Sequence, residues 1–172
     1  MKLKSMLLLA VACAACVGWM HRPVKSQEAK RVIGPTETVA IADAEIGLVA
    51  RVDTGARTTS VHAESIELMD DEVRFDLVCP DGRRVPMQRP VAEVRTVRSA
   101  AGSEDRVFVE LTLEHDGYAK PVLVNLKDRS HMAYPLLLGR NWLKDDYIVD
   151  VSREPVVPAK SAGTSMRLVS RD

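Results

Sequence analysis

Aromatic residues are scarce in this chain: two Trp, three Tyr and two Phe make up 4% of its 172 residues. Proteins that stack nucleobases place exposed aromatics beside basic residues. The formal net charge of +0 offers no basic surplus either, so nucleic acid is not an expected partner. Cysteine is nearly absent. Cys13 and Cys16 lie inside an N-terminal apolar run, which leaves Cys79 alone and excludes an internal disulfide in the remainder. The four histidines, His21, His62, His115 and His131, form no His-Glu-x-x-His, and no Cys-x-x-Cys occurs outside the apolar run. Catalytic zinc needs about three converging protein ligands, and "HAE" at His62–Glu64 has no second ligand pair to work with. A glycine-rich phosphate loop is missing too. Neither a metal nor a cofactor is expected.

The chain also lacks a long hydrophobic run. Its one candidate, Met6 to Met20, follows Lys2 and Lys4 and is shorter than the about 20 residues that a membrane-spanning helix requires. Residues 1–25 therefore read as a signal peptide, a lipoprotein signal with Cys13 as the acylation site, or a short membrane anchor. Each alternative puts the rest of the chain in the bacterial periplasm, secreted or tethered to the inner or outer membrane through its N-terminus.

Residues 26–36 are polar with a Gly-Pro break and read as a linker. From 37 to 152 the chain is a succession of short β-type runs. Val73, Phe75 and Leu77 alternate onto one face, as do Val107, Val109, Leu111 and Leu113. "PDG" at Pro80–Gly82 and "HDG" at His115–Gly117 have hairpin-turn chemistry. Only Gly139 to Asp146 reads as one or two helical turns. Many short strands with regular turns predict an all-β barrel or sandwich. Residues 153–172 form a polar, Pro- and Ser-rich tail.

Two motifs carry chemistry. "ARVDTGARTTSVHA" runs an apolar strand into Asp53-Thr54-Gly55. A carboxylate at the end of such a strand is held rigidly, Gly55 permits a sharp turn that brings amides to the acid, and the Thr54 hydroxyl can fix the loop. Two such carboxylates brought together share a proton; one then activates water while the other protonates a carbonyl oxygen. The second motif, "YPLLLGRNWL", is an aliphatic run followed by Gly139-Arg140-Asn141.

Together, in this order and separation, the motifs resemble those of the retropepsins, single-domain aspartic peptidases of retroviral type, over roughly Thr38 to Ser152. More narrowly, "VDTGARTTSVHA" with "YPLLLGR" is similar to a bacterial retropepsin-like family that carries the label ATP-dependent zinc protease. The resemblance implies a small closed all-β barrel with one short helix. It implies Asp53 as the catalytic aspartate, with Thr54, Gly55, Ala56 and Arg57 as the active-site loop. Gly139, Arg140 and Asn141 become the structural brace of that loop. The closing flap falls at Val97–Arg106, with Ser99 and Gly102 as its candidate residues.

Because Asp-Thr-Gly occurs once, an active pair requires a second identical chain, with strands around Thr38 and Tyr147–Ser152 pairing across the dimer. Retroviral enzymes carry an acid where this chain has Arg57. A cationic cleft rim favours an acidic peptide or protein substrate, or a C-terminal carboxylate. The alternative from another class is a non-catalytic module that binds a peptide or cell-envelope ligand.

Overall fold

The computed structural model describes residues 29–99 and 102–157. The leader with Cys13, residues 100–101 and residues 158–172 lie outside the described part. Eleven strands and two short helical segments appear within it. They are β1 (Arg31–Ile33), β2 (Thr36–Ile41), β3 (Ile46–Val52), β4 (Thr59–Met69), β5 (Glu72–Val78), β6 (Arg84–Pro90), β7 (Glu93–Ser99), β8 (Gly102–His115), β9 (Tyr118–Lys127), β10 (Leu136–Leu138) and β11 (Tyr147–Val149). A 3-10 turn at Ala42–Ala44 joins β2 to β3, and α1 covers Arg140–Leu143. Among the described residues no helix is long and apolar enough to cross a membrane.

The protein is all-β, as the alternating runs require. Val73, Phe75 and Leu77 on β5 are buried, as are Val109, Leu111 and Leu113 on β8. Both anticipated hairpins form. The β5–β6 turn places Gly82 at φ 84°, and the β8–β9 turn places Asp116 at 49° and Gly117 at 72°. These left-handed values are why Gly and Asp occupy the turns.

Strand pairing runs in a ring, β10-β3-β2-β8-β9-β4 and back to β10, with β5 and β6 added beyond β4 and β7 beyond β8. Two seams of this ring are narrow. β2 meets β8 only through Ala40↔Glu114 and Ile41↔Leu113, and β10 meets β4 only through Leu136↔Val61 and Leu137↔Ser60. The expected closed barrel is thus corrected to a ring sewn at two short seams. The cause is local: β2 ends at the 3-10 turn, and β10 is confined between Pro135 and the start of α1.

Other boundaries move. Residues 31–33 of the expected linker form β1, so the folded unit begins before 37. β1 pairs in parallel with β11 of its own chain, Arg31↔Tyr147 through Ile33↔Val149. Residues 153–157 of the expected tail are tied to the body: Arg153 Nη1 donates to the Val32 carbonyl at 2.6 Å, and Thr36 Oγ1 donates to the Val156 carbonyl at 2.9 Å. The expected helix shrinks to the four residues of α1. β6, which contains Pro86 and Pro90, forms because it is an outer strand bonded only to β5, where a missing N–H is tolerated. Under the β1–β11 ribbon, Trp142 stacks on Tyr147 with ring centroids 4.1 Å apart, and His115 meets both rings edge-on.

Candidate active site

Asp53 follows directly on β3, whose parallel pairing with β10 aligns Val52 with Leu138. Its backbone N–H donates to the Leu138 carbonyl at 3.0 Å, so the two motif-bearing strands are locked at the aspartate itself. The carboxylate is held by the loop it opens. Asp53 Oδ1 accepts the Gly55 N–H at 2.9 Å and the Ala56 N–H at 3.0 Å. Oδ2 has no hydrogen-bond partner among the described residues. The result is a half-buried acid with one oxygen oriented and the other left unengaged among the described residues. Thr54 is exposed, and its hydroxyl has no partner within the described chain.

Gly139, Arg140 and Asn141 pack under this loop. A Cβ on Gly139 would lie 2.5 Å from the Thr58 carbonyl carbon, 2.6 Å from its oxygen and 2.9 Å from its nitrogen. Gly139 has φ −90° and ψ 179°, ordinary extended backbone, so the requirement here is closeness and not conformational freedom. The Arg140 N–H donates to the Ala56 carbonyl at 2.9 Å, and its guanidinium Nη1 to the Gly55 and Thr54 carbonyls at 2.8 and 3.3 Å. Arg140 therefore satisfies its charge on loop carbonyl dipoles instead of an acid. Asn141 Oδ1 accepts both the backbone N–H and the hydroxyl of buried Thr59, at 2.8 and 2.9 Å, while its Nδ2 donates to the Leu123 carbonyl at 2.7 Å. One asparagine thus joins α1, β4 and β9.

A groove of about 570 Å³ opens beside Gly55 and Ala56, and its walls are basic: Arg57, Arg98, Arg106, Lys127 and Arg129 line it. Arg57 faces this groove, whereas Arg140 lines a separate one with Thr54 and Tyr147. The β7–β8 hairpin supplies Val97, Arg98 and Arg106. Its last described pair, Ser99↔Gly102, closes toward the tip with Gly102 at φ 122°. Arg106 and Lys127 share the carboxylate of Glu104, which both hold below its usual range, Lys127 most strongly. Arg57, Arg98 and Arg129 have no acid within ion-pair distance among the described residues. Burial pushes the Arg129 guanidinium down from its ordinary value, Arg106 adds to that, and the Asp53 carboxylate opposes it.

The zinc implied by the family label finds no donor set: no three His, Cys, Asp or Glu side chains converge among the described residues. His62 and His115 are each buried in separate hydrogen-bonded settings, against Arg129 and Glu37 respectively. Asn125 and Arg129 carried no sequence signal, and His62 was weighed in sequence only as a metal donor. Asn125, buried on β9, donates to the Thr59 carbonyl at 2.6 Å and accepts Arg106 Nη1 at 3.0 Å. Arg129 and His62 meet only in the fold, across 67 positions of sequence.

An oriented aspartate on a glycine turn, braced by Gly-Arg-Asn, is the loop arrangement expected of a retropepsin-like fold. Residues 32–160 match the family model described as "RimB-like: Retropepsin-like aspartic endopeptidase RimB". The chain belongs to this family. It is 32% identical over 131 residues to a "Probable alpha-L-glutamate ligase" of Desulfotalea psychrophila, covering 71% of this chain and 28% of that one. It is 33% identical over 132 residues to a protein of the same name from Shewanella pealeana, covering 72% and 29%. The chain thus spans under a third of the length of these relatives. Among solved structures, a Legionella pneumophila protein of unknown function superposes with a TM-score of 0.64 at 26% identity, covering 74% of this chain and 98% of that one.

Proposed function

We propose that this protein is an aspartic endopeptidase of retropepsin type that cleaves acidic peptides as a homodimer. The observation that carries the proposal is the Asp53 carboxylate, with Oδ1 fixed by two loop amides and Oδ2 unengaged. One chain supplies one such group. Two chains related by a two-fold axis bring two of them together, where like charges cannot both ionise easily and a single proton is shared. The ionised member then takes a proton from water as it attacks the scissile carbonyl. The protonated member donates to the carbonyl oxygen. The unpartnered Thr54 hydroxyls suit a lock between the two loops across that axis.

Within one chain β1 pairs with β11, so a second copy would meet this ribbon from outside. The ribbon they form leaves Val32 43% and Ile148 53% exposed, and this apolar face is the surface offered to a second copy. The apolar leader would deliver the domain to the periplasm or hold it at a membrane.

The groove supports an acidic substrate. Three of its cations have no acid within ion-pair distance among the described residues, and a carboxylate-rich chain supplies one. The relatives named for joining glutamate agree with a glutamate-containing peptide as the substrate class. The test is cleavage of a glutamate-rich peptide, followed by mass spectrometry, beside a lysine-rich peptide of equal length. Hydrolysis of the first, blocked by a statine-type transition-state mimic, is expected. Tight binding of the acidic peptide without any hydrolysis would replace the peptidase by a binding module.

A further inference from the structure

We propose that Arg129 selects the acidic side chain in this groove and that His62, outside the groove, is its positioning residue. The inference rests on the acidic-substrate reading above but not on catalysis.

Arg129 is only 7% exposed, yet its guanidinium makes one hydrogen bond among the described residues, from Nε to the Tyr134 carbonyl at 3.2 Å. Neither Nη group has a partner among the described residues, and neither is fully enclosed, so the fork opens to the groove that Arg129 lines, where water or a ligand completes it. Its planar fork matches a carboxylate in a bidentate pair, and a lysine could not reproduce this geometry. Arg129 lines the same groove as Gly55 and Ala56 of the Asp53 loop, so a side chain held there lies beside that loop.

Arg129 sits in the connection between β9 and β10, and one residue of β4 clamps that connection at both ends. The His62 backbone N–H donates to the Pro135 carbonyl at 2.7 Å, and His62 Nδ1 accepts the Arg129 backbone N–H at 3.0 Å. Since Nδ1 accepts, the ring is neutral with its proton on Nε2, directed toward Glu64 Oε1 at 3.6 Å. The groups facing the ring are Glu64 on its own strand and Asp128 and Arg129 in the connection, with Cys79 and Asp81 across the adjoining cavity. Asp128 Oδ1 lies 3.8 Å from Nδ1. Protonated Nδ1 can no longer accept from Arg129 and finds Asp128 as its acceptor instead. Acidification therefore exchanges the bond that holds Arg129 for one that does not.

The experiment measures binding, so that it stays separate from turnover. The full chain carrying Asp53→Asn is titrated with fluorescein-labelled pentaglutamate from about pH 5.5 to about pH 8, across the imidazole range and above that of the peptide. Arg129→Met and Arg129→Lys are expected to weaken binding by about tenfold or more, the worth of one charge-assisted bidentate contact. With His62 present, affinity is expected to fall as the pH drops. His62→Asn, whose Oδ1 can stand where Nδ1 stands and cannot be protonated, is expected to hold the high-pH affinity throughout. Binding of pentaglutamate within about twofold of the parent in Arg129→Met would overturn the selection role. A pH profile in His62→Asn identical to that of the parent would overturn the positioning role. Selective binding in a protein whose Asp53 form hydrolyses nothing would support this inference while removing the peptidase.

Discussion

Replacing Gly139 by alanine adds one methyl group at the point where the two motifs touch. The new Cβ would stand 2.5 Å from the Thr58 carbonyl carbon and 2.6 Å from its oxygen, against about 3.5–4.0 Å for comfortable carbon contacts. Thr58 meets it with backbone, so no side-chain rotation relieves the clash. The chain must separate by about 1 Å there, which pulls on four bonds at once: Gly139 N–H to Thr59 Oγ1, Arg140 N–H to the Ala56 carbonyl, Asn141 N–H to the Arg57 carbonyl and the Asn141–Thr59 pair. Overpacking alone costs about 1–3 kcal/mol. Weakening two of the bonds at about 1 kcal/mol each raises the total to about 3–5 kcal/mol. For a domain of this size that lowers the melting temperature by about 10 °C or more. Circular dichroism melts of Gly139→Ala and Gly47→Ala make the comparison. Gly47 lies in β3, where a Cβ would meet only the Thr38 methyl at 3.9 Å, so that variant should melt near the parent. A Gly139→Ala melt within about 2 °C of the parent would refute the brace as described.

Three further outcomes follow from the same geometry. Asp53→Asn keeps an Oδ1 for the Gly55 and Ala56 amides, so it should melt within a few degrees of the parent while peptide hydrolysis disappears; a large loss of stability would show that the acid is structural. Burial pushes the Tyr147 phenol up to about 12, above its ordinary value of about 10, so the folded chain holds that proton longer than the unfolded one. Its contribution is full below about pH 10 and is lost as pH rises toward 12; Tyr147→Phe, whose parent hydroxyl is buried without a partner, should unfold less steeply over that window in alkaline denaturation melts. Hydrolysis should withstand EDTA, because no three metal donors converge among the described residues, and loss that only added zinc restores would contradict this.

Much of the fold was legible because alternation is a local property. Val73, Phe75 and Leu77 declare their face without reference to anything distant, and Asp-Gly pairs declare their turns. The Asp53 loop and its Gly-Arg-Asn brace were legible as motifs, since each packs several constrained residues into a short span. What escaped was set by tertiary placement. Prolines in β6 argue against a strand until the strand proves to be an outer one. β1 is three residues in a polar stretch, and only its pairing with β11 makes it a strand. Arg129, His62 and Asn125 look ordinary in sequence, since their roles depend on the β4–β9–β10 arrangement that brings them together. The placement of Arg57 is likewise tertiary: Arg140 turns to the Thr54 and Gly55 carbonyls, while Arg57 lines the groove.

The shared carboxylate pair is the claim on which the functional account turns, and subunit mixing tests it most directly. Parent chains are unfolded and refolded together with increasing proportions of Asp53→Asn chains at fixed total concentration, and hydrolysis of the glutamate-rich peptide is followed. If each active centre needs an Asp53 from both chains, activity falls as the square of the parent fraction, to about a quarter at an equal mixture. A linear decline, with about half the activity at that mixture, would mean that one chain suffices and would contradict the account.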